Sequence, residues 1–166
     1  MSRFQRVGFN PLPWFFTSAG FDRSAAPPLA DIYRQIREAG FGAVHAEVPA
    51  EMSIQEYRRL LADSELEPAP GYFQASFSDS AATPGAVEDA KRIASQHAQL
   101  GLDRIFIADQ FGVPARVAVP ARGVDSDPSR LQTIVHNLGK VASAMTAEGV
   151  VPCLHQHVDT GARLPA

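Results

Sequence analysis

RIASQHAQLGLDRIFIADQ, residues 92–110, contains the folding unit from which the rest of the chain can be read. Its first half is helical in pattern. Gly101 stands where a helix needs a left-handed C-terminal cap, and an apolar β-like run ending in Asp109 follows. The same order recurs in DIYRQIREAGFGAVHAEVP, residues 31–49, around Gly40, and in VASAMTAEGVVPCLHQHV, residues 141–158, around Gly149. Leu29, Ile32, Tyr33, Ile36 and Ala39 recur at helical spacing before Gly40. Leu131, Ile134, Val135, Leu138, Val141, Ala142 and Met145 do so before Gly149. Asp127-Pro128 reads as an N-cap followed by proline at the first helical position, and Pro27-Pro28 also suits a helix start.

Extended along the chain, the pattern predicts strands over 6–12, 42–48, 67–73, 103–109 and 150–157. Helices are predicted over 28–39, 53–63, 84–100 and 128–148. Strands joined through helices run parallel by right-handed crossovers, so the class is α/β. Two architectures remain, an open doubly wound sheet and a (β/α) barrel. The turn after strand one, NPLPWF, is not a glycine-rich phosphate loop, and polar residues recur at strand C-termini, where barrels build their sites. The expectation is a barrel whose strands are adjacent in sequential order with helices on one side. Residues 110–127 would form a long loop on the side of the site.

Composition sets the outer limits. At 166 residues, 45% apolar and 20% charged, the chain has the makings of one globular domain over residues 1–166. A net charge of −3 offers no electrostatic footprint for nucleic acid or an anionic membrane, so neither is expected as a partner. A lone cysteine fits a reducing cytoplasm. Pro11 and Pro13 break the apolar run near the N-terminus, which makes a poor signal peptide, and no stretch reads as a membrane span.

The chemistry-bearing residues cluster at predicted strand ends. In strand two, Ala43, His45 and Glu47 share one face and Val44, Ala46 and Val48 the other. Glu47 is then either solvated on a partly exposed strand or a carboxylate that touches substrate. Asp109 and Asn10 end their strands either as turn formers or as substrate contacts. Trp14 follows on a βα-loop, where an aromatic either floors a pocket or covers the barrel mouth, and Tyr72 carries the same alternatives. His155 and His157 lie two apart, so both imidazoles project from one face and can chelate a single metal ion. Spacing does not fix which of them binds metal and which substrate. Cys153, deeper on that face, reads as a small core filler, and His97 and His136 as helix-packing or surface residues.

Taken together, VGFNPLPW, GFGAVHAEVP with its terminal glutamate, the GYF after strand three and VPCLHQHVDT resemble the sugar phosphate isomerase/epimerase superfamily of xylose-isomerase-like barrels. Within it the inosose-dehydratase-like branch is the most similar. The resemblance implies a (β/α)8 TIM barrel of which this chain holds the first five βα units, a barrel truncated after strand five, since a whole one takes about 250 residues. It also implies a divalent ion (Mn, Mg, Co or Zn) and a small sugar or polyol substrate. The chemistry would be proton abstraction next to a carbonyl, as in isomerisation, epimerisation or dehydration. On that likeness His155 takes the strand-five metal position and Glu47 and His157 are the catalytic groups. Asn10, Trp14, Tyr72 and Asp109 would line the substrate. A non-catalytic barrel fragment with weak metal or sugar binding is the competing expectation. The apurinic endonuclease relatives are disfavoured by 15 Lys+Arg against 18 Asp+Glu. Interior apolar positions such as Ile105, Ile107 and Cys153, left without strands opposite them, point to a homo-oligomer.

Overall fold

Helix and strand alternate as the repeat predicts, and the reason is visible at each return turn. A computed structural model describes residues 7–110 and 127–155. Those residues fall into two compact units, one ending at Gly71 and the other beginning at Tyr72.

In the first unit, β1 (Gly8–Phe9), β4 (Ala43–His45) and β5 (Glu67–Ala69) form a parallel sheet in that order. A short antiparallel hairpin of β2 (Phe16–Thr17) and β3 (Gly20–Phe21) lies within the connection after β1. Helices α1 (Leu29–Glu38) and α2 (Ile54–Asp63) complete the unit. Val44 and Ala46 are buried, as are Ile32, Tyr33 and Ile36 of α1 and Tyr57 and Leu61 of α2. Ala43 and His45 lie on the opposite face, the one shared by Gly8. That face is tightly wound, for a Cβ on Gly8 would come within 2.8 Å of the Ala69 Cβ.

The second unit holds β6 (Tyr72–Ala75), β7 (Arg104–Asp109) and β8 (Val151–Leu154), again parallel and in sequence order, with α3 (Thr83–Gln99) and α4 (Pro128–Ala147). Its core joins Phe73, Ile105 and Ile107 to Ala90 and Ala94 of α3 and to Ile134, Val141 and Met145 of α4. Ile105 and Ile107 therefore face the helices. The expectation that they line the interior was off by one position, because Ile105–Ala108 is apolar on both sides and gives no alternation to set the parity. The opposite face carries Tyr72, Phe106 and Cys153, paired in register, with Phe106 42% exposed.

Two strands and one helix position differ most from the sequence reading. Strand one shrinks to Gly8–Phe9 among the described residues, because Asn10 and Pro11 turn the chain into a 3-10 turn over Leu12–Phe15. Strand three is split. Pro70 has no N–H to give a ladder, so Glu67–Ala69 pairs with β4 and Tyr72–Ala75 pairs with β7. In α4, Val135 is 65% exposed, and the buried position in that turn belongs to Asn137. Residues 111–126, most of the expected long loop, lie outside the described residues.

Each helix returns to a strand through the same left-handed turn. Gly40, Gly101 and Gly149 have φ of 92°, 78° and 82°, and the next residue's N–H reaches back to Ile36, His97 or Met145. Helix α2 closes identically, with Leu66 N–H on the Leu61 carbonyl, but the left-handed residue is Glu65, at φ 52°. A side chain there strains the backbone by about 1–2 kcal/mol.

Buried polar groups tie the second unit together. The Asp109 carboxylate accepts from the Phe77 N–H (3.0 Å), and the Asn137 amide donates to the Phe77 carbonyl (2.9 Å). Both side chains are buried, so one loop residue, Phe77, is held through its N–H by β7 and through its carbonyl by α4. His97 is buried on α3, its Nδ1 2.9 Å from the Ile93 carbonyl, and burial holds its pKa below the ordinary 6.5.

Glu65→Gly is expected to raise unfolding free energy by about 0.5–1 kcal/mol, because relief of backbone strain exceeds loss of the exposed Arg37–Glu65 ion pair. Chemical denaturation checks it. Asp109→Ala and Asn137→Ala should each cost about 1–3 kcal/mol, and a double-mutant cycle should show them coupled through Phe77. Because His97 is held neutral, the unfolded chain takes its proton more readily. Stability is then full above about pH 6.5 and falls as pH drops through the depressed folded value. Denaturation midpoints for His97→Gln across that range should fall less steeply than those of the parent.

Candidate functional site

Parallel strands that share one direction bring their C-terminal ends to one pole of each sheet, and most of the residues singled out by sequence sit there. Glu47 lies two residues beyond β4. Its backbone N–H donates to the Tyr57 hydroxyl (3.2 Å), which in turn hydrogen-bonds the Tyr33 hydroxyl (2.8 Å). Both phenols are buried, and burial raises both pKa values, so they stay neutral and hydrogen-bonded. Helices α1 and α2 thus hold the backbone at Glu47 while its carboxylate points into solvent. That carboxylate forms an ion pair with Arg23. Arg23, which the sequence reading did not single out, opens the 3-10 turn Arg23–Ala25 and lies over the Phe15 ring at 4.6 Å.

Asn10 and Trp14 belong to the same unit. Asn10 is exposed, and its side-chain oxygen accepts from the Leu12 N–H (3.0 Å), the turn-forming role of the two open to it. Trp14 packs edge-on against Phe9, and its indole N–H donates to Gln35 of α1 (3.4 Å). Phe9 pairs with Val44 in register, on the helix-packed side, so Trp14 leans toward α1.

In the second unit, Tyr72 and His155 come together. The His155 ring stands at the end of β8, 6.1 Å from Tyr72 and 5.7 Å from Phe106, centroid to centroid. Its backbone N–H continues the ladder to the Ile107 carbonyl (2.8 Å), which fixes the imidazole on the face away from the helices. Asp109 has the parity of Ile105 and Ile107 and turns the other way, into its bond with Phe77. It serves as the loop-holding residue of the two roles sequence left open, although the peptide it holds is remote in sequence. His157 lies outside the described residues.

A divalent ion needs three or four ligands. Among the described residues no three His, Cys, Asp or Glu side chains gather in that way. His155 alone does not fit such an ion. Also among the described residues, no helix is long and apolar enough to cross a membrane.

No family model and no curated protein matches the sequence. Solved structures do match its fold. A xylose isomerase-like TIM barrel protein from Mycobacterium smegmatis, in complex with magnesium, aligns with TM-score 0.64 and 22% identity over 93% of this chain and 56% of its own. An L-ribulose 3-epimerase aligns with TM-score 0.59 and 19% identity over 89% and 48%. An AP endonuclease of family 2 from Brucella melitensis aligns with TM-score 0.58 and 15% identity over 90% and 54%. The chain has the fold of a xylose isomerase-like TIM barrel and spans about half the length of the structures it matches.

Proposed function

We propose that this chain belongs to an enzyme that moves a proton next to the carbonyl of a small sugar or polyol, as an isomerase, epimerase or dehydratase. The observation that carries the reading is Glu47, a carboxylate at a strand C-terminus whose backbone is held from beneath by Tyr57 while its side chain is 48% exposed. The fold shared with an L-ribulose 3-epimerase supports the reaction class. Glu47 takes the proton from the carbon beside the carbonyl. Isomerisation returns it to the neighbouring carbon, epimerisation takes a proton on the opposite face of the same carbon from a second acid, and dehydration sends it out with the leaving hydroxyl as water. His157 is the second catalytic group of this reading, and Tyr72 beside His155 contributes a substrate wall. Asn10, Trp14 and Asp109 act at one remove, by shaping the loops.

His155 is the proposed metal position, for Mn, Mg, Co or Zn, and the ion would polarise the carbonyl. The exposure of Phe106, on a face that no described helix covers, supports a homo-oligomer, and the lone cysteine a reducing cytoplasm. A second reading, a non-catalytic barrel portion with weak metal or sugar binding, is favoured by the lack of a three-ligand group among the described residues.

The test is solvent deuterium incorporation beside the carbonyl of ketoses such as L-ribulose, followed by proton NMR with Mn or Mg added. The proposed reading expects exchange that Glu47→Gln reduces by about 100-fold or more, the scale of a lost general base. His155→Ala should weaken Mn binding. Absence of exchange with weak Mn binding establishes the second reading. Exchange that survives Glu47→Gln overturns the assignment of the base.

A further inference from the structure

Arg23 has the features of a built anion site rather than of a loop fastener. Its guanidinium lies 4.6 Å above the Phe15 ring and 5.9 Å from the Phe21 ring, and Phe15 is buried. The turn that carries it is fixed independently of Glu47. The Asp22 N–H donates to the Phe15 carbonyl (2.7 Å), and the Asp22 carboxylate caps the turn through the Ser24 N–H (2.9 Å) and hydroxyl (2.6 Å). Asp22, the adjacent acid, is thereby engaged with Ser24, and those bonds lower its pKa. The contact with Glu47 runs through Nη2, one end of a five-donor fork, and the arginine side chain remains 47% exposed.

An ion pair between two half-exposed groups is weak, whereas a guanidinium presents a planar fork that matches carboxylate and phosphate oxygens. An incoming anion therefore meets a cation already held in place by aromatic rings, with Glu47 as its only competitor described on it. We propose that Arg23 is an anion subsite, binding a carboxylate or phosphate group of the substrate and displacing Glu47 as it does so. The substrate class is then an acidic or phosphorylated sugar. This assignment rests on the proposed function for what the released Glu47 carboxylate does next, but anion capture itself needs no turnover.

The experiment titrates inorganic phosphate and, in a separate arm, acetate into the full 166-residue chain while following the Arg23 Nε–H resonance by NMR. Saturable shifts are expected, and the tighter-binding anion identifies the substrate group. Glu47→Gln removes the competitor and should tighten binding about two- to fivefold, the range set by a half-exposed ion pair. Arg23→Met should abolish saturable binding in the same chain observed through backbone amides of residues 15–25, and Arg23→Lys should retain part of it. Unchanged or weaker binding in Glu47→Gln, where Arg23 and its aromatic bed are intact, overturns the proposal, as does no saturable shift in the parent chain. Deuterium exchange on neutral ketoses without anion binding would sink this inference alone. Anion binding without any exchange would leave it standing and sink the proposed function.

Discussion

Parallel pairing is the constraint from which the rest follows. A strand parallel to its neighbour must be re-entered from the same pole, so successive strands of each parallel sheet are joined by a crossover and one face is given to the helices. On β7 that face takes Ile105, Ile107 and Asp109, and the other takes Phe106 and Ala108. Burying an isoleucine contributes roughly 1.5–3 kcal/mol, so a one-residue slip would forfeit several such burials together. The parity is therefore fixed by the core, and the position of each polar residue at a strand end is a by-product of it. His155 stands on the face away from the described helices and Asp109 on the face toward them for that reason.

How much of this was legible follows from the range of each interaction. The return turns could be read because Gly40, Gly101 and Gly149 stand beside the helices they close. The fourth could not, because Glu65 adopts the same geometry without the residue that announces it. The face of β4 was readable from its alternation, with Val44 and Ala46 buried and Glu47 exposed, whereas β7 is apolar from Ile105 to Ala108 and hides its parity. Asn137 and Arg23 escaped for another reason. Their partners, Phe77 and Glu47, are distant in sequence, and no local pattern marks a residue for a contact made only after folding. That Glu47, Asp109 and His155 stand at or just beyond strand C-termini was legible, but the contacts each of them makes were not.

The energetics of Glu47 are divided between two layers. Below it, the neutral, buried Tyr57 hydroxyl, itself bonded to that of Tyr33, accepts from its backbone N–H, and such bonds gain from a low-dielectric setting. Above it, the Arg23 pair is exposed to water and screened by salt, so it adds little to stability. The backbone is therefore rigid where the carboxylate is exchangeable, an arrangement suited to a group that must change partners without moving the fold.

The two poles of these βα units differ in their room for change. Helix-to-strand returns at 39–42, 64–66, 100–103 and 148–150 are short and locked by left-handed caps. Among the described residues, strand-to-helix connections at 10–28, 46–53 and 76–82 are longer and carry Arg23, Glu47 and the Phe77 loop. An insertion at the first set would break a cap and shift a strand, while the second set has longer stretches of exposed chain around its few buried anchors, Phe15 and Phe77. Sequence drift is thereby channelled to the pole where new specificities arise, and the opposite pole preserves the scaffold on which they are tried.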